Sequence, residues 1–133
     1  EVLKQLHAAN VLITIVSNNT VANIQTILKE NHMQDLVSCI IGIESGKPAK
    51  PHADVFHDRL LPLYPNRPTS DFLMIGDTAT DIQFAQNAGI DCCWVQYGIG
   101  HTHDCQALAP NFTISHIEDI IPILLGTKST LPR

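Results

Sequence analysis

Four short apolar runs constrain this chain more than any other feature: VLITIV at 11 to 16, VSCIIGI at 37 to 43, FLMIG at 72 to 76 and CCWVQY at 92 to 97. Each is apolar or β-branched at nearly every position rather than at alternate ones. That pattern fits a strand covered on both faces, as in a parallel sheet. Between the runs lie segments of helical period. SNNT supplies N-cap chemistry ahead of Val21, Ile24, Ile27 and Leu28, which carry a helix to about Asn31. ADVFHDRLLPLY predicts a helix with Val55, Phe56, Leu60 and Leu63 inward and a last turn disturbed by Pro62. TDIQFAQNAGI predicts one with Ile82, Ala85 and Ala88 on one face, ended by Gly89. The first residues, EVLKQLHAAN, read as the back half of a helix with Val2, Leu3 and Leu6 on one side. The tail adds a short strand from Phe112 to Ile114, a capping-box pair Ser115 and Glu118, and a helix through Ile121, Leu124 and Leu125 that Pro122 should break or restart. Strands alternating with helices mean βαβ units. The expected fold class is therefore α/β, a three-layer α/β/α Rossmann-like parallel sheet.

At 133 residues, 44% hydrophobic and 16% charged, residues 1 to 133 suffice for one domain with a sizeable core, which excludes disordered and coiled-coil classes. Eight basic against thirteen acidic residues leave a net charge of −5 with no basic cluster, so nucleic acid is not an expected partner. No apolar run approaches the roughly 20 residues of a membrane-spanning helix, and no membrane partner is expected. Cys39, Cys92, Cys93 and Cys105 make no C-x-x-C pair, and Cys92 and Cys93 would point to opposite faces of a strand. They read as reduced thiols of a cytoplasmic protein. Because the chain opens on Glu1 in what reads as mid-helix, a preceding segment is expected.

In parallel α/β folds ligands bind at the carboxyl ends of the strands. Those positions hold Ser17 and Asn18, the loop with Lys47 and Lys50, and Asp77 with Asp81 in GDTATD. A hydroxyl beside a helix N-terminus can donate to a phosphate oxygen, and a lysine can neutralise the same anion. Two carboxylates four apart suit a hard cation such as Mg²⁺ that keeps several of its waters. Each feature also has a plain reading: Ser17 with Asn18 as a helix cap, the two acids as a turn acid and an N-cap acid, the lysines as solvated loop residues. Their ordered combination describes a phosphoryl-binding centre.

The order hhhhhhS-N (h, apolar), then KP-x-A-D-x-F, then hhhIGD-T-x-x-D followed by a helix ending in A-G-I, resembles motifs two, three and four of the haloacid dehalogenase-like hydrolases, nearest to the phosphoglycolate phosphatase-like branch. The likeness runs from the first helix into the tail and includes WVQYG, similar to that branch's last core strand. It implies an Mg²⁺-dependent phosphomonoester hydrolase working through an aspartyl phosphate on a small phosphorylated substrate. By the same resemblance, Ser17 is the second-motif hydroxyl followed by Asn18, Lys50 the third-motif lysine, Asp77 the metal-binding acid and Asp81 its support through water or a hydrogen bond. Lys47 competes with Lys50, since GKPAKPHADVF holds two KP pairs; KPHADVF keeps the family's spacing to the next helix. The first motif, D-x-D followed by G-T, occurs nowhere in the sequence, and the segment in which this branch inserts its helical cap is missing too. The expected fold is thus a core without its first-motif strand and cap.

The alternatives are a haloacid dehalogenase, which uses the same nucleophile without a metal, and a non-catalytic phosphatase-like binding domain. A signalling receiver domain is excluded, because its acids come first in the chain and its lysine last, opposite to the order seen here. GIG at 98 to 100 resembles a dinucleotide fingerprint weakly, but His103 replaces its third glycine, leaving a plain turn; the resemblance to the hydrolases implies instead that Gly98 to Asp104 borders the active-site entrance. His101, His103 and Cys105 lack a fourth ligand of matching spacing and read as a polar loop. His7, His32, His52, His57 and His116 read as solvated.

Overall fold

A computed structural model describes residues 1 to 126. The described chain divides into two compact units, Glu1–Gly42 together with residues 116 to 126, and Ile43–Ser115. No helix among the described residues is long and apolar enough to cross a membrane.

The first unit contains helix α1 (Val2–Ala8), strand β1 (Thr14–Val16), helix α2 (Val21–Glu30), strand β2 (Cys39–Ile41) and helix α5 (Ile120–Leu125). β1 and β2 pair in parallel, with Thr14 opposite Cys39 and Val16 opposite Ile41. The strand is shorter than the run VLITIV. Val11 donates its N–H back to the Leu6 carbonyl at 3.0 Å, so the start of the run completes the turn that leaves α1. β1 is also only partly buried, having β2 as its one strand neighbour among the described residues. Val2 and Leu6 are buried as the helical period requires, as are Ile24 and Leu28 of α2, but Ile27 is half exposed. Thr20 caps α2, its hydroxyl accepting from Asn23 N at 3.2 Å. The capping box expected of Ser115 and Glu118 does not form. A 3₁₀ turn, Ile117–Asp119, precedes α5 instead, capped by no side chain. Pro122 restarts rather than breaks the helix, because it sits in the first turn of α5, where an N–H would have no helical acceptor.

The second unit holds strands β3 (Leu73–Gly76), β4 (Asp91–Val95) and β5 (Phe112–Ile114), with helices α3 (Ala79–Ala88) and α4 (Thr102–Ala107). The sheet order is β3-β4-β5 and both pairings are parallel. β4, flanked on both edges, is buried from Cys92 to Val95, whereas every residue of β3 stays partly exposed. Ile82 and Ala85 of α3 pack with Cys92, Trp94 and Cys105 into one core cluster. Gly89 ends α3 at φ 78, the left-handed conformation that glycine adopts without a Cβ penalty. The segment expected to form an α-helix is a π-helical turn over Val55–Leu60 followed by a 3₁₀ turn over Leu61–Leu63. Pro62 can offer no N–H to continue an α-helical ladder, so the geometry changes there. Val55, Phe56 and Leu60 point inward as expected, while Leu63 is 51% exposed. Phe72 meets Phe56 edge to face at 5.0 Å and Tyr64 at 6.0 Å.

Burial pushes the Cys92 thiol from its ordinary 9.0 up to about 12, and Cys93 to about 11. A thiol that keeps its proton longer when folded contributes stability that is whole below about pH 9 and is lost as pH climbs towards 12. Thermal unfolding measured between pH 8 and 11 should therefore show an alkaline loss of stability that Cys92→Ala makes shallower. In the native protein iodoacetamide should label Cys39, which is partly exposed, well before Cys92, Cys93 or Cys105. Equal labelling rates for all four would contradict this burial.

Candidate active site

Asp77 and Thr78 follow β3 directly, and Asp81 lies in the first turn of α3. Thr78 is the N-cap of α3 and forms a capping box with Asp81, each side chain bonding the other residue's backbone N–H. Asp81 Oδ2 accepts from Asp77 N at 3.2 Å, Thr78 N at 3.3 Å and Thr78 Oγ1 at 3.0 Å. Its Oδ1 accepts from Lys50 Nζ at 2.7 Å. The two side chains are nearly buried, at 11% and 10% exposure, so the charges meet largely out of water. Close approach at this point requires a glycine before Asp77. A Cβ on Gly76 would stand 2.4 Å from Asp81 Oδ2.

The second unit thus brings together Lys50, Asp77 and Asp81 from a loop, a strand end and a helix N-terminus. Lys47 goes elsewhere. It pairs with Glu44 at 3.0 Å on the surface, where its hydrogen bond holds the Glu44 carboxyl below the usual value. Arg59 reaches Glu44 as well, at 3.0 Å. Asp77 Oδ2 accepts from the backbone N–H of Ile99 at 2.9 Å, so the GIG turn closes on this acid. Sequence spacing does not reveal that contact across 22 residues; the only local hint is a glycine on each side of Ile99.

Ser17 and Asn18 belong to the first unit, at the end of β1. Ser17 N extends the ladder by donating to the Ile41 carbonyl at 3.0 Å, and Ser17 Oγ accepts from Asn19 N at 3.0 Å. Asn19 Oδ1 in turn accepts from Thr20 N at 2.8 Å, continuing the cap of α2. Since Ser17 Oγ is an acceptor in that turn, its O–H proton is the part it can offer a ligand. Gly42, at the end of β2, passes so close to this turn that a Cβ there would lie 2.7 Å from Val21 N.

Among the described residues no three ligating side chains converge as a metal cage. Mg²⁺ does not need one, since it takes one or two carboxylates and keeps waters, so Asp77 is a suitable single anchor. The bonds that Asp81 already accepts on both oxygens suit support rather than direct ligation. His101 pairs with Asp104 at 3.5 Å in an exposed position, whereas Cys105 is fully buried in the core cluster.

The family model of the haloacid dehalogenase-like hydrolases matches residues 1–95. A phosphoglycolate phosphatase of Vibrio vulnificus is 27% identical over 125 residues, covering 94% of this chain and 54% of its own. That of Pectobacterium atrosepticum is 29% identical over 130 residues, 98% of this chain and 54% of its own. The crystal structure of a predicted phosphoglycolate phosphatase from Haemophilus somnus superposes with a TM-score of 0.84 at 25% identity, covering 92% of this chain and 53% of that one. The chain thus spans about half the length of the curated relatives it matches. With a family match across most of its length and the parallel α/β layout described above, the chain belongs to the haloacid dehalogenase-like hydrolase family.

Proposed function

We propose that Lys50, Asp77 and Asp81 of the second unit form the anion- and metal-handling part of an Mg²⁺-dependent phosphomonoester hydrolase acting on a small phosphorylated metabolite. The carboxylate nucleophile would come from a D-x-D segment outside the 133 residues, giving an aspartyl-phosphate intermediate. The observation that carries this reading is the Lys50 ammonium, held 2.7 Å from Asp81 Oδ1 in the turn that also carries Asp77. The names of the relatives support a phosphomonoester substrate and make phosphoglycolate the first one to try.

Phosphoryl transfer passes through a transition state whose negative charge is spread over three oxygens, so positioned cations and donors provide most of the catalysis. Lys50 would bind and orient the phosphate and screen its repulsion from a carboxylate nucleophile. Asp81 keeps that ammonium in place. In the first unit, Ser17, with Asn18 beside it in the same turn, has a hydroxyl proton to offer an anion at the end of β1. Bound at Asp77, Mg²⁺ would supply further neutralisation of the developing charge.

With p-nitrophenyl phosphate and phosphoglycolate as substrates, the 133-residue chain alone should show no turnover. Fused behind a D-x-D-bearing first segment, it should gain hydrolysis that EDTA abolishes. Turnover by the chain alone would mean another nucleophile, and a folded, Mg²⁺-binding fusion without activity would support a non-catalytic binding domain. In the active fusion, Lys50→Ala should lower turnover about 100-fold or more, the loss expected when a transition-state charge donor worth about 3 kcal/mol is removed. Lys47→Ala, which breaks only a surface pair, should leave it within about twofold. The opposite ranking would transfer the role to Lys47.

The support role of Asp81 predicts a separate effect on stability. Asp81→Ala removes the carboxylate that faces the nearly buried Lys50 ammonium and takes away the α3 cap acceptor, and should cost about 3–5 kcal/mol in urea unfolding. Asp81→Asn, which keeps an acceptor for the cap, should cost less, and adding Lys50→Met to Asp81→Ala should recover part of the loss. An Asp81→Ala variant as stable as the parent would show that the pair does not hold the turn.

A further inference from the structure

Ile99 is 90% exposed and Tyr97 58% exposed, an unusual display of large apolar side chains just after the most buried strand of the second unit. The Ile99 backbone explains why the loop lies where it does. Its N–H donates to Asp77 Oδ2 at 2.9 Å. A Cβ added at Gly98 would come within 2.2 Å of Asp77 Cβ and 2.3 Å of its Oδ2, and one at Gly100 within 1.8 Å of the Asp77 carbonyl oxygen. Neither glycine has the positive φ found at Gly46, Gly89 and Gly126. These two positions therefore need a missing side chain for space, and not for conformational freedom. Beyond the loop, Cys105 Sγ approaches the same carbonyl at 3.9 Å.

We infer that the Gly98–Ile99–Gly100 loop is a positioning element for Asp77, a backbone clamp that fixes Oδ2 and so sets how the carboxylate is presented. This rests on the reading of Asp77 as the metal anchor. A backbone amide suits the task because it holds one oxygen by a directional bond and cannot rotate away, whereas a side-chain donor could. Partners that orient a ligating carboxylate in this way raise metal affinity without touching the metal. The Ile99 side chain plays no part in the clamp, so its chemistry is free to vary while its N–H is not.

The test has two arms. In metal-free protein the Ile99 amide, followed by NMR, should exchange at least about tenfold faster in Asp77→Ala than in the parent, as expected for an amide that loses a bond to a charged acceptor. In the second arm, calorimetric titration with Mg²⁺ should show about 10- to 100-fold weaker binding for Ile99→Pro, which lacks the N–H, measured at a temperature where the variant is folded. Ile99→Ala should bind as the parent does. An Ile99 amide indifferent to Asp77→Ala, or a folded Ile99→Pro that binds Mg²⁺ as tightly as the parent, would overturn the clamp. If the parent binds no Mg²⁺ yet Asp77→Ala releases the Ile99 amide, the magnesium reading fails and the clamp stands.

Discussion

The Asp81 carboxylate organises the second unit. One oxygen holds the Lys50 ammonium, and the other gathers the N–H groups of Asp77 and Thr78 together with the Thr78 hydroxyl. Through these bonds a single residue starts α3, shapes the turn leaving β3 and draws the 43-to-50 loop onto it. The arrangement is electrostatically demanding, because two nearly buried charges lose hydration and recover it only through good geometry. Gly76 is the steric condition for it, since any side chain there would occupy the space of the carboxylate.

Asp77, four residues away, is surrounded differently. Its carboxylate is held by a backbone group of the chain following β4, the Ile99 N–H, and the Cys105 thiol approaches its carbonyl. The two acids of GDTATD therefore divide their work: Asp81 is consumed by structure, and Asp77 is steadied by the loop on one oxygen. On the proposed reading, that division would separate the group that stiffens the turn from the group that would meet the cation.

Sheet position accounts for the burial pattern. β4 has a neighbour on each side, and its Cys92, Cys93 and Trp94 are almost fully covered. β1 and β3 are equally apolar in sequence yet only partly covered, each having one strand neighbour among the described residues. Such edges are the places where a further strand would bury most new surface.

Period and punctuation were enough to recognise α1, α2, α3, β5 and the α/β alternation, because these depend on neighbours within a few residues. Gly89 as a stop and Pro62 as a disturbance were legible for the same local reason. Tertiary structure decided the rest. Thr78 with Asp81 and Ser115 with Glu118 share the spacing of a capping box, but only the first pair forms one, while Ser115 turns to Gln96 at 2.8 Å. Lys47 and Lys50 stand in near-identical KP pairs, and the path of the loop determines that Lys50 reaches Asp81 while Lys47 stays with Glu44. GIG reads as a plain turn because its partner lies 22 residues away, a distance closed only when β3 and β4 pair side by side. Local propensity depends on the chain itself, whereas a hydrogen bond or an ion pair across the fold depends on which strand ends are brought together.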